Sequence, residues 1–372
     1  MPKESEACRN AAPPTVKEVA KLAGVSTATV SRVLSGSGGV RKDLIRRVEN
    51  AAQKLDYRPN PAARNLRIRS TRTVGMVFPD IQNPFYASVI SGAEDVLQTA
   101  GYSLLLANYG ENPQNEETQL ATLRAEHVAG ILFAASSRPA DGYTAVMSAG
   151  IALVAVSRIP DGLSVDLATV SNQAGARQAV EHLIRLGHQR IGLIDGPVSL
   201  STTRERQAGY AQALRAAGLG VPRDLVVNAS FFDRRAGFDA TSKLLDSPKR
   251  PTALLAVSNN MVLGAIEAIR ARALEVAKDV AVVGFGDTPS AEFLQPPLTV
   301  VSQPALEIGA TGARLLLERL QDPNRSRRSI VLDTELIVRE SCGSNLRSRQ
   351  VHAAQEPKRG RRMAALRNGK DR

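Results

Sequence analysis

From Thr73 onward, short apolar runs alternate with amphipathic stretches. TVGMVF (73–78), SLLLAN (103–108), GILFAA (130–135) and IALVAVS (151–157) are apolar at nearly every position, not at every second one. That pattern predicts buried parallel strands, with helices near 84–100, 113–127 and 140–149 between them. The theme repeats in RIGLID (190–195), LVVN (225–228), ALLAVS (253–258) and VAVVGF (280–285), with helices near 173–187, 203–218, 234–247 and 260–273. Two doubly wound α/β halves in series leave a cleft beyond the C-terminal ends of their strands. A last helix, about 304–321, and a strand at 330–338 are expected to cross back between the halves.

The first sixty residues follow another period. Thr15-Val16-Lys17-Glu18 is a capping-box pattern, and Val16, Val19, Ala20, Leu22 and Ala23 supply an apolar face at helical spacing. Gly24 stops this helix. Ser26 caps a second over 27–34, with Ala28, Val30, Val33 and Leu34 as candidate inward residues. A third spans about 41–55, with Leu44, Ile45, Val48, Ala52 and Leu55 on one face. Three short helices with a Gly-containing turn match the helix-turn-helix plan, in which one helix enters a major groove while another braces the phosphates.

Charge sharpens this picture. The chain of 372 residues carries a net +12, unevenly placed. Residues 1–70 hold 14 basic and 6 acidic side chains, residues 345–372 hold 9 and 2, and the body between holds 25 and 28. A near-neutral body with two basic ends points to a polyanion contacted by the ends. The leader 1–14 and the tail 344–372, with KRGRR at 358–362, are expected to be disordered. Residues 59–72 read as a charged linker.

Other classes are disfavoured. No run of 18 apolar residues exists, so no membrane span is expected. The N-terminus lacks the apolar stretch of a secretory signal. Cys8 and Cys342 lie near opposite ends in polar sequence surroundings, so a reducing cytoplasm is expected rather than a disulfide framework. The four histidines and two cysteines lack zinc-ligand spacing, and no cofactor is expected. Gly284-Phe285-Gly286 begins a G-x-G, but Pro289 stands where the dinucleotide fingerprint needs its third glycine, and no G-x-x-x-x-G-K-[ST] loop occurs. His188 has no nucleophile near it in sequence. An enzyme is not expected.

Several motifs together carry a family resemblance. TVKEVAKLAGVSTATVSRVLSG (15–36), LDYRPNPAARNLR (55–67), HLIRLGHQRIGLIDGP (182–197) and PPLTVVSQP (296–304) resemble the LacI/GalR family of bacterial transcription regulators, over about residues 15–342. The resemblance implies an α/β fold: an N-terminal helix-turn-helix headpiece (15–58), a hinge (59–72), and a two-lobed periplasmic-binding-protein-like core of two doubly wound parallel sheets (73–343). It implies a double-stranded, near-palindromic DNA operator as partner, with a homodimer reading its two half-sites. The core around 74–126 is the implied dimer surface. The tail has no leucine heptads, so a dimer is expected rather than a tetramer.

The helix after Ser26 resembles the family's recognition helix. Thr27 and Ala28 are small enough to approach base edges, and Arg32 suits O6 and N7 of guanine. Ser26, Thr29 and Ser31 are assigned to phosphates, and Thr15 to the same DNA-binding face. In the hinge, Leu66 matches a minor-groove wedge, with Asn60 and Arg64 beside it. The resemblance also implies a small sugar-like effector in the cleft, contacted by Asn83, Phe85, Tyr86, Arg206, Phe232, Asn259 and Gln303, with Ser157, Arg158 and Asp287 as further candidates. Many relatives carry acidic residues where this chain has Ser157 and Gly286. Their loss beside Arg158 and Arg206 suggests a sugar acid or sugar phosphate as an alternative to a neutral sugar. A periplasmic-type sugar-binding protein without a DNA role is the competing reading.

Overall fold

The computed structural model describes residues 14–35, 39–57, 71–136 and 141–345. The expectations for the leader, for most of the tail and for the hinge, including Asn60, Arg64 and Leu66, lie outside these residues. The chain divides into two units, residues 1–71 and 72–372.

The first unit contains helices α1 (Val16–Ala23), α2 (Thr27–Ser35) and α3 (Lys42–Lys54). Glu18 reaches back to accept the Thr15 N–H at 2.6 Å, which starts α1 as the sequence predicts. Gly24 ends it in the left-handed region at φ 63°, a conformation that glycine adopts without a Cβ penalty. Arg47 of α3 donates to the Gly24 carbonyl and ties the turn to the third helix. Val19, Ala20, Ala23, Val30, Val48, Ala51 and Ala52 form the buried seam. Four expected inward residues are neither in it nor packed against it: Leu22 is 52% exposed, Ala28 is exposed, and Leu44 and Ile45 are half-buried. Half-buried Val16, Val25, Val33, Leu34, Leu55 and Tyr57 pack against the edges of the seam, so the apolar spacing alone does not decide which side chains the three helices cover.

The second unit holds two six-stranded sheets. The first has the order β11-β5-β4-β3-β1-β2 and the second β12-β10-β9-β8-β6-β7. Pairing is parallel except between β10 and β12. In the first lobe, β1 (Thr73–Phe78), β2 (Ser103–Asn108), β3 (Gly130–Phe133), β4 (Ala152–Val156) and β5 (Asp166–Val170) alternate with α4 (Pro84–Thr99), α5 (Pro113–Ala125) and α6 (Asp141–Ser148). The second lobe has β6 (Ile191–Asp195), β7 (Val226–Asn228), β8 (Ala253–Ala256), β9 (Ala281–Phe285) and β10 (Thr299–Ser302). Its helices are α7 (Asn172–Arg185), α8 (Ser201–Ala216), α9 (Arg234–Leu245) and α10 (Asn259–Arg270).

The chain passes between the lobes three times. It crosses at Ser171 after β5, at Gln303–Pro304 before α11 (Ala305–Gln321), which packs on the first sheet, and at Asp333–Thr334 between β11 (Ser329–Leu332) and β12 (Glu335–Ile337). The single strand expected at 330–338 is therefore two, one in each sheet, because the chain changes lobes at its centre. β2 also departs from expectation: it is the sheet edge, and Leu105 and Leu106 are exposed. An apolar run cannot by itself tell a central strand from an edge strand whose outer face meets another surface. Cys342 is fully buried despite its polar sequence neighbours, with Sγ 3.2 Å from His182 Nε2.

Helices α4 and α11 meet at two glycines. A Cβ on Gly92 would lie 2.0 Å from the Leu306 carbonyl oxygen, and one on Gly309 would lie 1.9 Å from that of Val89. Backbone cannot move aside as a side-chain tip can. We predict that Gly309→Ala lowers unfolding stability by about 1–3 kcal/mol, since overpacking outweighs alanine's gain in helix propensity; chemical denaturation of the variant checks this.

Candidate functional site

In the first unit, Thr27, Ala28 and Arg32 are exposed and Ser31 half-buried. Positions 27, 28, 31 and 32 share one helical face, opposite the buried Val30. Ser26 caps α2 by accepting the Thr29 N–H at 3.1 Å, and its Oγ lies 2.9 Å from the Thr29 hydroxyl. Thr15 is exposed at the start of α1. The residues assigned to base edges thus share an outward face whose reverse side is packed.

In the second unit, a cavity of about 50 Å³ lies between the lobes, beyond the strand C-termini. Its wall includes nine of the sequence candidates: Asn83, Phe85, Tyr86, Ser157, Arg158, Arg206, Phe232, Asn259 and Gln303. Local structure sets each in place. Asn83 caps α4 by accepting the Phe85 N–H at 3.1 Å. Tyr86 is buried against Phe78 and Phe85, with ring centroids 5.5 and 5.1 Å away, so it serves core and cavity at once; burial raises its hydroxyl pKa. Ser157, in the left-handed region at φ 70°, turns the chain so that Arg158 follows the end of β4 inward. Phe232 is held by the Ser258 hydroxyl, which donates to its carbonyl at 2.9 Å.

Asp287 is not in the wall. Arg339 holds it as a fork, with Nη1–Oδ1 at 3.1 Å and Nη2–Oδ2 at 3.0 Å, and this carboxylate raises the Arg339 pKa. At Gly286, with φ 108°, a Cβ would stand 2.6 Å from Asn259 Oδ1. The Asn259 amide occupies the space that a side chain there would need.

Glu111, Thr202, Val257, Ser258 and Phe285 complete the wall and were missed. The signal for Glu111 was available: it follows β2, just before the α5 cap Asn112, where strand ends point at the cleft. Glu111 accepts from Arg158 Nη2 at 2.7 Å, and the same nitrogen lies 2.9 Å from the Tyr109 hydroxyl. Arg158 is 3% exposed. Burial works against its charge, but Glu111, Tyr109 and Tyr86 outweigh it, and its pKa is raised. Arg206 is 6% exposed and donates from Nε to Asn172 Oδ1 at 3.1 Å and from Nη1 to the Val257 carbonyl at 3.4 Å. Its guanidinium lies 4.4 Å from the Phe285 ring centroid, and burial lowers its pKa.

Three contacts bridge the lobes around the cavity. Arg204 of α8 pairs with Asp161 at 2.7 Å. Asn260 of α10 donates to Asp80, which follows β1, at 3.2 Å. Arg158 stands 5.6 Å over the Phe232 ring.

Comparison with known proteins agrees with this arrangement. A family model described as bacterial regulatory proteins, lacI family, matches residues 15–60, and one described as a periplasmic binding protein-like domain matches 180–342. The chain is 34% identical over 327 residues to the HTH-type transcriptional repressor CytR of Escherichia coli K12, covering 88% of this chain and 96% of that one. The chain belongs to the LacI family. Among solved structures, the chain is similar to a transcriptional regulator CelR–cellobiose complex, with 35% identity, TM-score 0.68, and coverage of 88% of this chain and 99% of that one. It is similar also to the lac repressor dimer bound to operator and the anti-inducer ONPF, with 28% identity, TM-score 0.78, and coverage of 89% and 99%. As a LacI-family member the chain is a DNA-binding transcriptional repressor and not an enzyme, which sets aside the reading without a DNA role. Among the described residues no helix is long and apolar enough to cross a membrane.

The Arg158–Glu111 pair yields a prediction. Removing one member of a buried ion pair strands the other charge in a medium that solvates it poorly. Glu111→Ala should lower unfolding stability at pH 7 by about 3 kcal/mol, measured by urea denaturation against the wild type.

Proposed function

We propose that this repressor binds a near-palindromic operator as a homodimer, and that a small, uncharged, hydroxylated effector between the lobes changes its operator affinity. The observation that carries the effector reading is the composition of the cavity wall. Two buried arginines, a carboxylate, the amides Asn83, Asn259 and Gln303, and the aromatic faces of Phe85 and Phe232 converge on one cavity. Such a wall combines directional donors and acceptors with apolar surface, which suits a sugar ring. The similarity to a protein solved with cellobiose supports the same class.

The case for a sugar acid or sugar phosphate weakens at Glu111. Loss of acidic residues at 157 and 286 suggested an excess of positive charge, but Arg158 already has a carboxylate in contact. The cavity is also smaller than the usual range of about 300–1,000 Å³ for ligand sites. Effector entry therefore spreads the lobes and breaks the Arg204–Asp161 and Asn260–Asp80 contacts. The ligand then favours whichever lobe setting it fits better, and shifts DNA affinity by that difference alone. Calorimetric titration with matched neutral sugars and their acids tests the assignment. Tight binding confined to neutral members is expected, and tight binding confined to the acids would overturn it.

For DNA, Thr27, Ala28 and Arg32 read base edges while Thr15, Ser26, Thr29 and Ser31 set register on phosphates. Asn60, Arg64 and Leu66 of the hinge sequence extend the contact into the minor groove. The exposed β2 edge, with Leu105 and Leu106, supports dimerisation through the first lobe. The DNA partner implies a cytoplasmic location. Arg32→Ala should cost about 1–3 kcal/mol and relax preference at one base position per half-site; selection of sites from a random DNA pool checks this, and an unchanged preference would remove Arg32 from the reading face.

A further inference from the structure

Behind the cavity, at the C-terminal end of β6, Asp195 is completely buried. Its Oδ1 accepts the Gly196 N–H at 2.8 Å, whereas Oδ2 has no hydrogen-bond partner. A buried acceptor without a donor costs about 1–3 kcal/mol. The opposite charge acting on it is the guanidinium of Arg206 on α8, through space and not by a direct ion pair; the Thr203 hydroxyl of the same helix also acts on it. Arg206 itself lines the cavity, as do Tyr86 of α4 and Arg158 after β4; these two and Glu205 of α8, which lies outside the wall, also contribute to its field. The two wall arginines are thus matched differently. Arg158 has Glu111 in contact, while Arg206 has no carboxylate at ion-pair distance and, of the charges around it, is acted on most strongly by the buried Asp195.

We propose that Asp195 is a specificity-determining residue for the cavity: its carboxylate offsets the Arg206 charge from the protein side, so that the cavity accepts uncharged ligands and rejects anions. The proposal rests on the reading of this cavity as the effector site. With Asp195 ionised, Arg206 has a carboxylate offsetting its charge, as Arg158 has in Glu111. An entering anion then meets the opposing field of Asp195 in a medium that screens poorly. Without the Asp195 charge, Arg206 is left as a desolvated cation, and an anion in the cavity becomes its natural partner. Burial raises the Asp195 pKa to about 7, with Arg206, Gly196 and Thr203 pulling the other way. The carboxylate is therefore protonated below neutrality and charged above it, and the exclusion of anions is strong at alkaline pH and lost in acid.

Sulfate is a suitable probe because its charge is constant between pH 5.5 and 8.5. We measure the Tm of the full chain against millimolar sulfate for wild type, Asp195→Asn, Arg206→Gln and the double variant. At pH 8.5, Asp195→Asn should reach its half-maximal Tm rise at a sulfate concentration at least tenfold below that of wild type, and the double variant should lose this gain. Wild type should acquire the same response at pH 5.5, and Arg206→Gln should not. The wild-type and Arg206→Gln arms keep the proposal testable if Asp195→Asn does not fold. Equal sulfate responses in wild type and Asp195→Asn, or a gain that survives loss of Arg206, would overturn it. The assay needs no sugar, so its outcome is separate from that of the calorimetric screen.

Discussion

A guanidinium taken out of water must be given another charge to face. That constraint organises the cleft of this repressor. Arg158 and Arg206 are both nearly inaccessible, one from each lobe, and the surrounding elements are placed to make them tolerable. The loop after β2 delivers Glu111 onto Arg158, and Ser157 accepts a left-handed backbone so that Arg158 can turn inward. Asn172, the first residue of α7, takes the Arg206 Nε, and Phe285 offers it a ring face. With these supports the two cations can stand in the wall of the cavity without being displaced toward solvent.

Much of this was legible because strand C-termini in a doubly wound fold point at the cleft. Asn83, Ser157, Arg158 and Asn259 follow strands that the apolar runs marked, and Gln303 follows the short β10 within the PPLTVVSQP motif. Glu111 follows such a strand as well, but between Gly110 and the cap Asn112 it reads as turn chemistry. Asp287 stands outside the wall for the opposite reason. Its position fits the rule, yet Arg339, 52 residues further on, folds back and takes both oxygens. Pairing over such a distance has no signature in local sequence.

Burial was read less well than element type. The period of an apolar run reports which backbone geometry it suits, whereas burial depends on what packs against it. SLLLAN is a strand, as expected, but lies at the edge of its sheet. Leu22 has the spacing of the α1 seam but stands outside it. The run at 330–338 has the composition of one strand, and its division at Asp333–Thr334 follows from a sheet change that the apolar period does not encode.

The three crossings between the lobes have a mechanical consequence. Each is one to two residues long, at Ser171, at Gln303–Pro304 and at Asp333–Thr334. The first and third are stitched together, since the Ser171 N–H donates to the Leu332 carbonyl at 2.9 Å and the Thr334 N–H to the Ser171 hydroxyl at 3.3 Å. One short tether would let two bodies swivel and twist. Three short tethers side by side resist sliding and torsion and leave bending about their common line as the soft coordinate. Opening or closing of the cleft then reduces to a change in one angle between the lobes.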